Sequence, residues 1–304
     1  MVFWLSVAVP FFIGLAVAAV LYFTVGWWGF WVVFPWIGFS IAVGIYLMAT
    51  LPPKKRAVGR RVAILMVLPA LLLFVPIANN ENFQLEGVVL LVLAGYFSKG
   101  VIHYMVAKVF GPLIWGRGFC GWACWTAAVL DWLPVKKAGR VPPELKKIRY
   151  LTFAFSVLLP VVLVWFYNYD VRHDYLHKTE MLWMFAGNAL YYLVAVPLAF
   201  VYKDQRAFCK LVCPVPVVMK PAAAVALITI APSGRPEAAC VECGQCNRVC
   251  PMDVDVMSFI SRGKKVRDTE CILCMECQLA CPTGAIAGSK PAHETSGARG
   301  RRKA

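Results

Sequence analysis

Six stretches of the chain are apolar for nearly long enough, or fully long enough, to cross a bilayer, given that a spanning helix needs about 20 mainly apolar residues. They are residues 2–24, 27–51, 62–77, 87–110, 150–167 and 181–202. Only Val25 and Gly26 separate the first two, which predicts a tight helical hairpin, with a single bent or re-entrant element as the alternative. The third is short and carries Pro69 and Pro76, so its ends are the least defined. A further apolar run, 215–230, is too short for a span and is interrupted by Pro216, Lys220 and Pro221; it reads as an interfacial or packing helix. From Ala231 the pattern turns polar and rich in turn residues, which marks a boundary. Four regions follow: a hairpin and basic loop (1–61), a membrane bundle (62–230), a small cysteine-rich domain (231–287) and a basic tail (288–304) that reads as disordered and able to touch anionic lipid.

Composition agrees with the pattern. The chain of 304 residues is 60% hydrophobic, with a mean hydropathy of +0.66, well above a soluble domain. Lys and Arg number 31 against 16 acids, a formal charge of +15. In a soluble protein that excess would raise the question of nucleic acid. Here it gathers in three loops between apolar runs: Lys54, Lys55, Arg56, Arg60 and Arg61; Lys136, Lys137, Arg140, Lys146, Lys147 and Arg149; Lys203, Arg206 and Lys210. Such loops stay on the cytoplasmic side, so the expectation is a multi-pass protein of the bacterial cytoplasmic (inner) membrane with both termini inside. The loops 79–86 and 168–180 would face out. No cleavable leader is expected, because residues 1–5 lack a basic start and the apolar stretch runs on past leader length.

The cysteines carry the chemistry. Cys240, Cys243, Cys246 and Cys250 precede Pro251, and Cys271, Cys274, Cys277 and Cys281 precede Pro282. Each run is C-x2-C-x2-C-x3-C-P, the spacing that holds a 4Fe-4S cluster in bacterial-type ferredoxins, with the fourth cysteine serving the other cluster. The expected ligand sets are therefore Cys240, Cys243, Cys246 and Cys281 for one cluster, and Cys271, Cys274, Cys277 and Cys250 for the other. Zinc sites bring ligands as separated pairs, and disulfide scaffolds do not sit on such hydrophobic chains. The expected fold is an all-α polytopic bundle of about six spans with a small α+β two-cluster ferredoxin domain.

The other four of the 12 cysteines lie in a repeat. Arg117-Gly-Phe119-Cys120-x3-Cys124 and Arg206-Ala-Phe208-Cys209-x3-Cys213 share R-x-F-C-x3-C at an offset of 89 residues, each after two spans that open with a basic cluster. Both copies run in the same direction, so both pairs lie at the same membrane edge, and i, i+4 spacing within a helical turn lets each pair present two sulfurs. Four thiolates suit a third cluster or another soft metal. A reversible dithiol, or cysteines that only pack, are the alternatives. Arg117 and Arg206 are candidates to lower thiol pKa or to bind lipid headgroups.

The order of spans, G-R-x-F-C-x-W-x-C, spans, F-C-x3-C-P and two ferredoxin runs resembles the NapH-type membrane quinol dehydrogenase subunits of periplasmic nitrate reductase systems, within a wider group that includes NosR and CcoG. The resemblance covers about 62–287. The family repeats C-x3-C-P twice; here Pro214 follows the second copy but Trp125 follows the first, and two additional spans precede the core. The resemblance implies an oxidoreductase component, not a stand-alone catalyst, that exchanges electrons with quinone or quinol in the lipid bilayer and with a partner redox protein, without nucleic acid. It also implies two alternatives, a copper reductase or assembly factor of the CcoG type, which carries a further domain after this point, and an iron-sulfur redox sensor.

His103 is the only histidine in an expected span. A quinone-site base, a haem ligand and a packing histidine are its three readings. A bis-histidine haem would need a second buried histidine, and His173, His177 and His293 fall in a loop or the tail, so no haem is expected. Asp131 and Asp170, at span ends, are read as aids to proton release or as solvated loop residues. The 11 Trp and 11 Tyr suit an interfacial belt.

Overall fold

In the computed structural model, residues 2–137, 139–170, 174–235 and 237–287 are described. The expected tail, with His293, and the loop residue His173 lie outside them. Helices α1 (Val2–Val25) and α2 (Phe30–Thr50) form an antiparallel hairpin around Gly26, whose φ of +80° suits glycine. A Cβ on Gly38 would meet the Pro10 carbonyl at 2.3 Å, so the two backbones touch through small residues. Helix α3 (Arg56–Leu68) continues through a π-helical turn (Pro69–Phe74) into α4 (Val75–Asn79). The wider turn accommodates prolines that cannot donate to the α ladder, and the helix ends where Asn80 turns left-handed at φ 54°.

The fourth expected span is not one helix. It is broken into α5 (Leu85–Leu93) and a second arm made of α6 (Lys99–Tyr104), a π-helical turn (Met105–Phe110) and α7 (Gly111–Trp115). Gly95, at φ +69°, turns the chain. Ser98 then caps the new start by accepting from the Val101 amide at 3.3 Å, while the Gly100 amide donates to Glu81 at 2.9 Å. Five helices remain long and apolar enough to cross a membrane: Val7–Val25, Phe30–Thr50, Pro53–Asn79, Leu145–Tyr167 and Lys178–Val201. The second arm, about 25 Å long at 1.5 Å per residue, falls just short.

Short helices α8 (Gly118–Trp122) and α9 (Trp125–Leu130) follow. The long helices α10 (Ile148–Tyr167) and α11 (Asp174–Val201) come next, then α12 (Ala207–Leu211) and α13 (Val215–Ala223). The 215–230 run is thus a short helix and a loop, tied to α7 through Leu227 N to Leu113 O (3.0 Å) and Ile228 N to Ile114 O. The cysteine-rich region holds α14 (Gln245–Val249), α15 (Val256–Ile260) and α16 (Glu276–Leu279). Its ends are joined by antiparallel β1 (Ala231–Pro232) and β2 (Ile286–Ala287).

This region seats on one end of the bundle, the end that carries all three basic loops. Arg60 reaches Glu276 (2.9 Å), Lys137 and Lys210 reach Asp253 (both 2.6 Å), and Arg149 reaches Glu270 (2.8 Å). At the contact, Trp122 Nε1 donates to the Leu273 carbonyl at 2.9 Å. A Cβ on Gly121 would come within 2.1 Å of the Ile272 carbonyl oxygen, so the two backbones meet there.

Candidate metal-cluster sites

Three cavities are each lined by four cysteines. The first, about 330 Å³, is bounded by Cys240, Cys243, Cys246 and Cys281. The second, about 310 Å³, is bounded by Cys250, Cys271, Cys274 and Cys277. These are the two sets expected from the crossed ferredoxin spacing. Both runs wrap alike: Glu242 and Leu273, one residue before the second cysteine, both have φ 52°, and Gly244 and Met275, one residue after it, have φ 69° and 63°. Left-handed residues in such turns arrange backbone N–H groups into anion-binding concavities. A negatively charged thiolate cluster suits that lining.

The third cavity, about 590 Å³, is bounded by Cys120, Cys124, Cys209 and Cys213. Neither pair is continuously helical. Cys120 and Cys209 sit within α8 and α12, and the helix then ends, so that Cys124 is extended (ψ 115°) at the start of α9 and Cys213 lies in the turn before α13. Same-face helical spacing is therefore not what joins each pair. A helical turn followed by a break turns the second sulfur back toward the first. Trp125 and Pro214 stand at matching points, each where the next helix begins.

The cavities lie in series. Met252 and Ile272 line both the second and the third. Cys246, Cys250, Cys274 and Cys277 belong to one buried cluster with those two residues and with Phe208 and Cys209 of the second repeat. None of the 12 cysteines forms a disulfide.

The repeat's arginines are structural. Arg117 and Arg206 are fully buried, so neither meets lipid headgroups. Arg117 pairs with Glu270 at 2.5 Å. Arg206 grips Asp131 through two bonds of 2.6 Å and donates to the Cys120 carbonyl at 2.9 Å, tying one copy to the other. Asp131, read from the sequence as an aid to proton release or a solvated loop residue, is only 2% exposed, which rules out the solvated position, and also receives Arg60 at 2.8 Å. Burial alone would raise its pKa, but Arg206 and then Arg60 outweigh that and hold the carboxyl at about 2. His103 is buried against Phe34 and Phe83, with ring centroids at 5.6 and 5.9 Å, and does not line any of the three cavities.

Comparison with known proteins places this chemistry in a family. A family model described as a 4Fe-4S dicluster domain matches residues 232–292, and one described as a 4Fe-4S binding domain matches twice, at 101–140 and 186–233, once over each C-x3-C copy. "Uncharacterized protein MJ0749" of Methanocaldococcus jannaschii is 30% identical over 199 residues, 62% of this chain and 70% of that protein. The chain belongs to the same 4Fe-4S protein family as this relative. "Putative electron transport protein YccM" of Escherichia coli is 28% identical over 197 residues, and the match covers 52% of its length. "Uncharacterized protein MJ0750" is 24% identical over 214 residues, 84% of that protein. No solved structure matches the chain.

For a member of this iron-sulfur family, the structure extends the repeat beyond the residues read as functional. Arg60 Nη1 donates to the Gly121 carbonyl at 3.0 Å, and Arg149 Nη2 donates to the Lys210 carbonyl. The sequence offset between Arg60 and Arg149 is the same as that between Gly121 and Lys210, 89 residues. Each copy thus brings its own arginine, from the start of a preceding helix, to the carbonyl one residue past its first cysteine. Carrying the offset back into the basic loops would have found the pair.

Proposed function

We propose that the protein passes electrons between the quinone pool and a partner redox protein, as NapH-type subunits do, through two 4Fe-4S clusters in the ferredoxin region and a third centre held by Cys120, Cys124, Cys209 and Cys213. The observation that carries this reading is the series of four-cysteine cavities, with Met252 and Ile272 shared between the ferredoxin region and the membrane cavity. Clusters, when bound, accept and donate single electrons. The chain's own part is to hold four sulfurs in each cavity, keep water out with an apolar lining, and fix the ferredoxin region on the bundle with buried ion pairs. Among the described residues, no three Cys, His, Asp or Glu side chains come close enough to share a single ion. Ligands at a metal–sulfur bond of about 2.3 Å would crowd together, whereas a cluster holds them farther apart. The basic loops and the ferredoxin region share one face, which the inside bias of Lys and Arg assigns to the cytoplasm. Reporter fusions after Ala57 and Gly139 should then be active only as cytoplasmic reporters.

The test is a set of Cys120→Ser, Cys209→Ser and double variants. Each single change should stop electron transfer from quinol to the ferredoxin clusters, the double should be little worse, as for residues that act as a unit, and about eight ferredoxin irons should survive in all. Wild-type transfer by the double variant would reduce the pairs to scaffolding.

A second reading, a copper reductase of the CcoG type, has one observation in its favour. Cys120 Sγ lies 3.6 Å from Met219 Sδ, a thiol and thioether pairing that suits Cu(I). Stoichiometric copper, lost with Cys120→Ser, would select it.

A further inference from the structure

Three buried cations line the four-thiol cavity, Lys108, Arg117 and Arg206, none more than 2% exposed. Two have ion-pair partners, Arg117 in Glu270 and Arg206 in Asp131. Among the described residues no carboxylate forms an ion pair with Lys108. Its ammonium rests instead on the rings of Tyr104, Trp125 and Phe119, at 4.3, 4.6 and 5.3 Å from their centroids. The titratable groups that act on it are the thiols of Cys124, Cys213 and Cys120 and the carboxylate of Glu86. Glu86 forms no ion pair with it: its Oε1 accepts from Ser156 at 2.6 Å and Tyr191 at 3.1 Å, and its Oε2 has no hydrogen-bond partner.

A buried ammonium with no anion is among the costliest arrangements in a protein interior, and ring faces offset only part of that cost. Four neutral thiols would leave Lys108 with no ion-pair partner and only the Glu86 carboxylate acting on it. Four thiolates around a metal centre would not, because they bring net negative charge into the same cavity. We propose that Lys108 is the counter-cation of an anionic metal–thiolate centre held by Cys120, Cys124, Cys209 and Cys213, and that it sets the reduction potential of that centre. The inference rests on the reading of those four cysteines as one site. A fixed positive charge stabilises the more negative, reduced state, so Lys108 raises the midpoint potential, and in a low-dielectric cavity its influence is only weakly screened. Lys108 is a positioning and tuning residue with no part in bond making.

The experiment uses the full chain purified in detergent, as wild type, Lys108→Met and Lys108→Arg. Iron is counted, and the reduced-state EPR signals are followed through a redox titration, with Cys209→Ser identifying which signal belongs to the membrane cavity. Wild type should carry about four irons beyond the eight of the ferredoxin region. Lys108→Met should either lose those extra irons or keep them with a midpoint shifted to more negative potential, while the ferredoxin signals stay in place. Lys108→Arg should restore iron and midpoint toward wild type. Full third-centre iron at the wild-type midpoint in Lys108→Met overturns the role of Lys108 and leaves the shared site standing. Equal shifts in the Met and Arg variants overturn it too, since packing and not charge would then be responsible. Absence of any third centre in wild type overturns the site and the inference together. If Lys108→Met loses ferredoxin iron as well, the fold has failed, and Lys108→Gln is read by the same criteria.

Discussion

The ferredoxin cavities and the membrane cavity are both built from four cysteines, yet they are encoded differently. Each ferredoxin cavity takes three cysteines from one turn of chain and the fourth from its twin run, all within Cys240–Cys281, and spans about 330 or 310 Å³. The membrane cavity takes two cysteines from each of two segments 89 residues apart, borrows walls from α5, α11 and the ferredoxin region, and spans about 590 Å³. A local cage needs only short spacing and left-handed turns. A non-local cage needs the whole bundle to hold its halves together, and the buried charges are where that holding is done.

The largest effect should come from breaking a local cage. Cys277 lines the second ferredoxin cavity, where Cys271 and Cys250 of its own set and Cys246 of the other act on it. Cys277→Ser should therefore remove about four of the eight ferredoxin irons and alter the EPR spectrum of the remaining cluster. Unchanged iron with zinc present in stoichiometric amount would end the two-cluster assignment.

Both cage types left marks in the sequence, to different depths. The crossed ferredoxin sets follow from spacing alone, because one loop can wrap only the ligands it carries, and the structure groups the same eight cysteines in the same two sets. The membrane cavity was visible as a repeat, and Gly121 in the first copy and Pro214 in the second are helix-stop signals, but i, i+4 spacing alone does not register the breaks after Trp122 and Leu211. The fourth span failed for a related reason. Residues 87–110 are apolar enough to count as one segment, and hydropathy does not register that Gly95 and Ser98 end one helix and start another. Charge misled most. Arg60, Arg149 and Arg206 stand in loops that read as topogenic, yet each is at most 1% exposed and bound to a carboxylate whose position only the tertiary fold reveals. Their burial is compatible with the proposed inside bias of Lys and Arg, because the charged face of the bundle is also the face that the ferredoxin region covers.

Next in size is the charge that joins the halves of the membrane cage. Asp131 accepts from Arg60 and Arg206, and all three are almost wholly buried. Asp131→Asn leaves Arg206 without its anion and Arg60 with Glu276 alone, a change worth about 3–5 kcal/mol for a buried pair broken on one side. SDS-titration unfolding should show the loss, and third-centre iron should fall before ferredoxin iron does. A variant as stable as wild type would mean that Arg60 and Arg206 are satisfied elsewhere.

A smaller effect is expected at the seam between the two regions. Glu276, 14% exposed, receives Arg60 at 2.9 Å, and Arg60 keeps its second anion in Asp131. Glu276→Gln should cost about 1.5–3 kcal/mol, the range for a hydrogen bond to a charged group. Partial exposure places it at the low end. Limited proteolysis should cut the ferredoxin region faster, with both of its clusters intact. No change in protease sensitivity would show that the seam depends on Trp122, Gly121 and the Asp253 contacts instead.

The smallest effect should fall where the two repeat copies differ. Trp125 occupies the place of Pro214, and its larger side chain has its own contacts: Nε1 donates to Asn188 Oδ1 at 2.8 Å, and the ring meets Phe83 and Phe119 edge-on at 5.2 and 6.2 Å. Trp125→Phe keeps an aromatic face beneath Lys108 but leaves the buried Asn188 oxygen without its donor, a loss of about 1 kcal/mol. Asn188→Leu in the same background replaces the second polar partner by an apolar one, and removing both partners is close to neutral where removing one is not. The double variant should therefore recover part of the stability lost by Trp125→Phe in the same SDS titration. If the two losses simply add, the Trp125–Asn188 bond is not what holds the first copy in place of the missing proline, and the shape of the ring alone sets the start of α9.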